Sequence, residues 1–151
     1  MIENIHAEVV VIGAGPGGYA AAFRSADLGK QVILIDKDEA LGGVCLNRGC
    51  IPSKALLHLV KVIGDAKALK KLGVTFAEPE LDLDAIRSWK ESVVSKISKG
   101  IAQLAKVRNV QVLQGTAALD SPTQLSVVNN GSTQVVTFDN CIIATGSVAA
   151  G

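Results

Sequence analysis

A glycine-rich turn between two apolar strands constrains the fold more than any other feature of this 151-residue chain. Residues 8–12 (EVVVI) form a short, β-branched run that is typical of a strand buried on both faces. An alanine-rich helical stretch follows the turn at 17–28 and ends at Gly29, and a second apolar strand follows at 31–35. A strand, a helix and a strand in this order predict a right-handed βαβ unit with parallel strands.

The turn itself matches the G-x-G-x-x-G pattern with Gly13, Gly15 and Gly18. The first glycine permits a tight turn, the second lets the backbone approach a pyrophosphate, and the third lets the helix pack on the strand. Asp36 follows at about the spacing of an acidic residue that binds a ribose hydroxyl. A plain glycine-rich turn with a solvated aspartate is the alternative. The flanking elements favour an adenine-dinucleotide site, although the turn alone does not separate NAD from FAD.

Composition excludes several classes of protein. Fifteen Lys and Arg residues against fourteen Asp and Glu residues give a net charge of +1, which offers no electrostatic footprint for nucleic acid or an anionic membrane. Apolar residues make up 48% of the chain and charged residues 19%, as in an ordinary globular domain. The sequence contains no recognisable targeting or membrane segment, so the predicted location is the cytoplasm.

Cys45 and Cys50 form the second informative pattern, because they lie five residues apart beside the predicted nucleotide site. In a regular helix their Cα atoms would be about 8.6 Å apart, beyond the roughly 7 Å limit of a disulfide. Pairing therefore requires a local departure from helix, for which Gly49 supplies the conformational freedom. Pro52 suits the first turn of a helix, which places Cys50 at a helix N-terminus, where the dipole favours a thiolate. Lys54 adds a nearby positive charge.

Three interpretations of this cysteine pair are open. A zinc site usually needs four ligands at recognisable spacing, and only Cys141 and two distant histidines are left to complete one. Two buried, inert thiols are the simplest alternative. A redox-active dithiol is favoured, because Cys45 lies in a glycine-rich loop beside the nucleotide site. A flavin can carry a hydride and a thiol adduct, so the predicted cofactor is FAD, with no metal.

The motif residues resemble the pyridine nucleotide–disulfide oxidoreductase family. The resemblance rests on the Gly13–Gly18 turn, on Asp36 and on residues 41–57, LGGVCLNRGCIPSKALL, and it extends to the ATGS sequence at 144–147. Within the family, the stretch CLNxGCIPSKALL most resembles the dihydrolipoamide dehydrogenases. Glutathione reductases usually have Val-Pro-Lys-Lys after the second cysteine, whereas mercuric reductases are nearer and remain an alternative.

The rest of the chain is predicted from its periodicity. Helical spacing indicates helices at 51–72, closed by Gly73, and at 82–106, whereas residues 37–49 are expected to form a loop. Short strands are predicted at 110–113, 116–119, 124–128, 134–138 and 141–144, with a turn at 129–131. The predicted fold is α/β, a Rossmann-like FAD-binding domain with a parallel sheet and a small antiparallel β excursion between Val110 and Phe138.

The resemblance implies a role for each motif residue. Cys45 would exchange with the substrate and Cys50 would contact the flavin, with Lys54 near the flavin ring. Asp36 would hold the adenosine ribose, where the family more often has glutamate, and Val44 stands where many relatives carry threonine. The residues implied to bind FAD are Gly13, Gly15, Pro16, Gly17, Gly18, Asp36, Lys37, Gly42, Gly43, Val44, Cys45, Cys50, Lys54, Ala117, Thr145 and Gly146.

The resemblance also implies an activity. Dihydrolipoamide on the lipoyl domains of 2-oxo acid dehydrogenase complexes would reduce the Cys45–Cys50 disulfide, and electrons would pass through FAD to NAD. Family members are longer homodimers that add an NAD-binding domain and an interface domain with a catalytic His–Glu pair. We therefore expect residues 1–147 to be an incomplete FAD-binding domain, inactive alone, and 148–151 a truncated or non-native tail. A non-catalytic FAD- or dinucleotide-binding module is the alternative.

Overall fold

The computed structural model describes residues 4–148, which contain six strands and four α-helices. The strands are β1 (Asn4–Ile12), β2 (Val32–Asp36), β3 (Gln111–Gln114), β4 (Thr116–Ser121), β5 (Gln124–Asn129) and β6 (Ser132–Ile143). The helices are α1 (Pro16–Asp27), α2 (Gly43–Asn47), α3 (Cys50–Ala68) and α4 (Leu83–Val107), and a 3₁₀ turn at Leu69–Leu72 continues α3. Residues 149–151 of the predicted tail lie outside this range.

All six strands belong to one sheet, in the order β3-β2-β1-β6-β5-β4. Strands β3, β2, β1 and β6 run parallel to one another, and β5 and β4 extend the same sheet beyond β6 in antiparallel pairing. The predicted βαβ unit is confirmed, because β1 and β2 pair in parallel with Val9 beside Val32 and are joined by α1. The chain thus has the predicted mixed α/β, Rossmann-like architecture.

The extent of the antiparallel part was predicted wrongly. The strand predicted at 110–113 is β3, which pairs in parallel with β2, with Leu113 beside Ile35. The reason is α4, a 25-residue helix that returns the chain to the start of the sheet, so the strand after it enters in the parallel direction. Antiparallel pairing begins only with β4, which continues the sheet beyond β6.

The two strands predicted at 134–138 and 141–144 are one strand, β6. Asp139 and Asn140 interrupt the apolar pattern and are exposed, which suggested a break. Strand β6 nevertheless continues through them in unbroken register with β1, because Phe138 lies beside Ala7 and Asn140 beside Val9. The predicted hairpin before β6 is confirmed, and its two central residues, 130 and 131, both have positive φ, as a tight hairpin turn requires.

The segment predicted as a loop at 37–49 contains the short helix α2. Two glycines with φ of +113° and +63°, Gly42 and Gly43, turn the chain into this helix. Its apolar residue Leu46 is buried, which anchors α2 to the body of the protein. Helix α4 begins within one residue of the predicted start at 82, and the Asp82 side chain caps it by accepting hydrogen bonds from the backbone N–H groups of Asp84 and Ala85.

The core has two parts, one on each face of the sheet. One cluster joins strand residues such as Val11 and Leu34 to helix residues such as Ala22 and Ile101. The other cluster consists of strand residues alone. None of the 19 residues of α3 is buried. Within residues 4–148, no helix combines the length and the apolar character needed to cross a bilayer.

Candidate dinucleotide and dithiol site

The glycine-rich turn lies at the carboxyl ends of the parallel strands β1 and β6. Gly13 has a φ of +100°, and a Cβ on it would overlap the carbonyl oxygen of Ala144. A Cβ on Gly18 would overlap the carbonyl oxygen of Gly13. Helix α1 starts within this motif, at Pro16. Gly15 is its N-cap residue, and no side chain caps the helix. Its first backbone N–H groups are therefore available to an anion at this end of the sheet.

A groove of about 480 Å³ runs past this turn. A smaller recess of about 180 Å³ adjoins it at the β2–β4 side and shares four of its lining residues. Predicted cofactor residues that line the groove are Gly13, Gly15, Pro16, Asp36, Lys37, Gly43, Val44, Cys45, Thr145 and Gly146. Predicted cofactor residues that line the recess are Gly13, Asp36, Lys37, Ala117 and Thr145. The structure therefore brings most of the predicted set together.

The five other predicted residues do not line either space. Gly18 and Gly42 are buried behind the turns that they support, and Gly17 lies on the exposed side of the first turn of α1. Cys50 and Lys54 lie on the exposed N-terminal part of α3. Gly18 and Gly42 thus shape the site from beneath, and direct cofactor contacts for Gly17, Cys50 and Lys54 stay predictions.

Asp36 connects three of the loops around the groove. One carboxylate oxygen, Oδ2, accepts the backbone N–H of Ala14 at 2.6 Å, and the other, Oδ1, accepts the backbone N–H of Asp38 at 2.9 Å. The Asp36 carbonyl oxygen also accepts the N–H of Gly115 at 2.8 Å. The predicted ribose ligand is therefore also part of the framework that holds the turn in place.

A second glycine turn packs against the first. The N–H of Gly42 donates to the Ala14 carbonyl oxygen at 2.9 Å. A Cβ on Gly43 would come within 2.7 Å of the Gly15 Cα, so position 43 must lack a side chain for the turns to touch, whereas a Cβ on Gly15 would lie 4.0 Å from the Gly43 Cα, an ordinary contact distance. This contact brings the start of α2, and with it Cys45, to the wall of the dinucleotide groove.

The two cysteines lie on consecutive helices separated by a break. Cys45 is in α2 and Cys50 is the first residue of α3, and the Gly49 between them has φ −124° and ψ −100°, outside the helical region. The predicted departure from regular helix is confirmed. A Cβ on Gly49 would lie 3.2 Å from the carbonyl oxygen of Val44, so this break is tightly packed. Both cysteines are thiols in the structure.

The Cys45 thiol is perturbed by its neighbours. Its hydrogen bond with the Cys50 side chain, followed by burial, raises the pKa of Cys45 above its usual value of 9.0. The backbone N–H of Cys50 and the charge of Lys54 act on the pKa of Cys45 in the opposite direction. Cys45 and Cys50 thus lie close enough for their side chains to interact, as a dithiol that interconverts with a disulfide requires.

Charges of both signs line the groove near Cys45. The Nη2 of Arg48 lies 3.0 Å from Oδ2 of Asp38, in an exposed ion pair, and Lys37 lines the groove on the same side. Among residues 4–148 there is no group of three His, Cys, Asp or Glu side chains arranged to hold a metal ion. The cysteine pair offers thiol chemistry beside the uncapped start of α1.

Sequence reasoning missed several residues that shape the groove. Arg48 and Asp38 pair across its wall, and Gly115, with a φ of +153°, approaches β5 so closely that a Cβ would lie 2.6 Å from the Val127 side chain. Ser98 donates to the Leu41 carbonyl oxygen across a gap of 57 residues. Only Ser98 leaves a sequence signal, as a polar residue three positions before the buried Ile101.

Comparison with known proteins agrees with this geometry. The sequence model of the family described as pyridine nucleotide-disulphide oxidoreductase matches residues 7–150. The chain belongs to this family. The family assignment from the motifs is therefore confirmed.

Relatives of this chain include three bacterial proteins called dihydrolipoyl dehydrogenase. The chain is 52% identical over 147 residues to the one from Vibrio parahaemolyticus and 51% identical over 148 residues to the one from Haemophilus influenzae. Identity to the Geobacillus stearothermophilus protein is 44% over 143 residues. These matches cover 97%, 97% and 95% of this chain but only 31%, 31% and 30% of the relatives. The chain therefore spans about a third of the length of these relatives.

Proposed function

We propose that this chain binds FAD in the groove and supplies the redox-active dithiol of a dihydrolipoyl dehydrogenase. The observation that carries the proposal is the position of Cys45 on the wall of a groove built from two glycine turns, with Cys50 at the start of the next helix, just across the break at Gly49. The names of the relatives support the choice of dihydrolipoamide as the substrate. A related disulfide reductase, such as a mercuric reductase, is the alternative enzyme.

The shape and the hydrogen-bonding groups of the groove fit a flavin dinucleotide. The uncapped start of α1 and the contact between Gly15 and Gly43 leave room and N–H donors for a pyrophosphate. The recess beside Ala117 suits the adenine end, and Asp36 suits the ribose. When bound, FAD supplies the two-electron carrier between the dithiol and NAD.

The cysteines carry out the thiol exchange themselves. A thiolate of dihydrolipoamide attacks Sγ of Cys45, breaks the Sγ–Sγ bond and leaves a thiolate on Cys50. The second substrate thiol then attacks the substrate sulfur of the mixed disulfide, which closes lipoamide and releases Cys45. Two electrons move to the cysteine pair, one proton stays on Cys45, and the other proton is released.

The wider setting of the reaction is proposed from the family resemblance. NAD would be the final electron acceptor, and the substrate would be presented on lipoyl domains of 2-oxo acid dehydrogenase complexes. The full-length enzyme would be a cytoplasmic homodimer, with the NAD-binding and interface domains completing the catalytic machinery. In that setting, residues 1–147 would serve as the FAD-binding and dithiol-bearing part.

An absorption spectrum tests the proposal directly. We expect the purified chain to retain added FAD through gel filtration and to develop a long-wavelength shoulder on anaerobic reduction with dithiothreitol. Cys50→Ser is expected to lose the shoulder and Cys45→Ser to keep bound flavin, whereas Cys141→Ser, a change on strand β6, should leave both properties unchanged. A chain that fails to retain FAD, or a shoulder that persists without Cys50, would contradict the proposal.

A turnover assay separates the enzyme from a binding module. Dihydrolipoamide-dependent reduction of NAD is measured with the chain as it stands and with a protein of the relatives' length that contains it. Activity only in the longer protein, abolished there by Cys45→Ser, is the expected result. Tight FAD binding without activity in either protein would favour the non-catalytic module.

A further inference from the structure

Ser98 occupies an unusual position on α4. It lies three residues before Ile101 and seven before Ala105, the two buried residues of this helix, so it faces the core where an apolar residue is expected. Serines within helices commonly bond to a carbonyl one turn earlier, as Ser92 does to Trp89 at 2.6 Å. Ser98 instead reaches another part of the chain.

The acceptor of Ser98 is the carbonyl oxygen of Leu41, at 3.0 Å. The same oxygen accepts from Nδ2 of Asn47 at 3.5 Å, and this Nδ2 also donates to the carbonyl oxygen of Ala40 at 3.2 Å. The Leu41 side chain is buried in the core cluster that also contains Ile101. Asn47 in α2 and Ser98 in α4 thus both donate to the carbonyl oxygen of the peptide bond between Leu41 and Gly42.

The Leu41–Gly42 peptide that Ser98 and Asn47 bind begins the turn that leads into α2, the helix of Cys45. Gly42 and Gly43, with positive φ, follow at once and start α2, in which Cys45 is the third residue. Glycines are conformationally permissive because they lack a Cβ, so a fixed conformation of this turn requires restraints from other parts of the chain. The hydrogen bond from Gly42 to Ala14 supplies one restraint, and the two bonds to Leu41 supply the others.

We infer that Ser98 and Asn47 are positioning residues that lock the Leu41–Gly43 turn and thereby hold Cys45 against Cys50 and the dinucleotide groove. The inference rests on the proposed function for its chemical meaning, since it assigns the lock to the proposed redox dithiol. Neither residue lines the groove, so both act through the turn and not by contact with a ligand.

Three measurements test whether Ser98 and Asn47 hold the turn in this way. The first is the hydrogen-exchange rate of the Gly42 amide, and the second is the equilibrium between the Cys45–Cys50 dithiol and its disulfide in a glutathione buffer. The third is the dissociation constant for FAD. Ser98→Ala and Asn47→Ala remove one donor each, Ser98→Thr keeps the hydroxyl, and Ser92→Ala removes a hydroxyl of the same helix that bonds only locally.

We expect Ser98→Ala to change the glutathione equilibrium and the FAD dissociation constant about 5- to 10-fold, the effect of one lost hydrogen bond, and Asn47→Ala, which also loses its bond to Ala40, to change both at least as much. Exchange of the Gly42 amide should accelerate by a similar factor. Ser98→Thr should restore all three values and Ser92→Ala should match the unmodified chain. Because both donors share one acceptor, the double variant should lose less than the product of the two single effects.

Different results would overturn different conclusions. Unchanged Gly42 exchange and an unchanged glutathione equilibrium in Ser98→Ala and Asn47→Ala would refute the lock, even with FAD bound normally. Equal losses in Ser98→Ala and Ser92→Ala would also refute it, because helix stability would then be the cause. An unmodified chain that does not bind FAD would refute the proposed function, while the two FAD-independent measurements would still decide whether the lock exists.

Discussion

The carboxylate of Asp36 accepts the backbone N–H of Ala14 at 2.6 Å, across the base of the dinucleotide groove. The bond joins the end of β2 to the first turn of the Gly13–Gly18 motif, and a second bond from the Asp38 N–H fixes the other oxygen. A residue with the spacing of a ribose ligand thus also maintains the turn on which a pyrophosphate would rest. Substitution of Asp36 should therefore affect more than the adenosine end of a ligand.

Asp36→Ala is expected to weaken FAD binding at least about tenfold and to lower the free energy of unfolding by roughly 1–3 kcal/mol, because buried N–H groups lose a charged acceptor. Flavin-fluorescence titration and urea unfolding measure these quantities. Binding of FMN, which lacks the adenosine, distinguishes the two roles of the residue. Weaker FMN binding is expected if Asp36 holds the turn, and unchanged FMN binding would confine Asp36 to the ribose.

Gly13→Ala should be far more destabilising than Gly17→Ala. The first substitution places a Cβ on a residue with positive φ and into the backbone of Ala144, which we expect to cost about 3 kcal/mol or more. The second adds a methyl group in open space within α1, where alanine is better than glycine by roughly 0.5–1 kcal/mol. Urea unfolding of both variants checks this order, and a Gly13→Ala protein as stable as Gly17→Ala would contradict the packing of β6 on the turn.

The reactivity of Cys45 should depend on the hydrogen-bonding capacity of residue 50. The Cys50 side chain raises the pKa of Cys45 by accepting its proton in a hydrogen bond. Cys50→Ala removes this acceptor, so the pH profile of Cys45 alkylation should shift to lower pH. Cys50→Ser keeps an acceptor and should shift the profile less. Site-resolved mass spectrometry after iodoacetamide treatment separates Cys45 from Cys141, and identical profiles for the two variants would argue against the contact.

The free energy of unfolding of the reduced chain should fall as the pH rises above about 9. The pKa of Cys45 is raised by the Cys50 hydrogen bond and the pKa of Cys141 by burial, so the folded state holds both protons more tightly than the unfolded state. This stabilisation is present below the usual thiol pKa of 9.0 and is lost as the pH passes through the higher folded-state values. In Cys141→Ser the decline measured by urea unfolding should be shallower, and an identical decline would exclude a contribution from Cys141.

Local patterns in the sequence predicted much of the fold. The βαβ unit, both long helices and the 130–131 hairpin turn depend on residues close together in the chain, and all were confirmed. The parallel pairing of β3 and the continuity of β6 could not be predicted in this way. Their partners, β2 and β1, lie far away in sequence, and the polar Asp139 and Asn140 tolerate a strand interior because their side chains are exposed.

Prediction of the candidate site had the same limit, because only features set by residues close together in the chain could be predicted. The motifs identified the glycine turns, Asp36 and the cysteines, since each occupies a recognisable spacing. They could not show that the Asp36 carboxylate bonds to Ala14 or that Ser98 bonds to Leu41. Both contacts join a side chain to a distant backbone group, and the backbone group has no sequence signature because every residue type can supply it.

The central pair of parallel strands, β1 and β6, joins residues that are about 131 positions apart in the chain. Closing so large a loop delays formation of this pair relative to local structure, so β1 has a free edge until β6 arrives. The Ala144 backbone that covers Gly13 arrives with the same strand. The groove therefore does not exist in a partly folded chain, and retention of a dinucleotide would report that folding is complete.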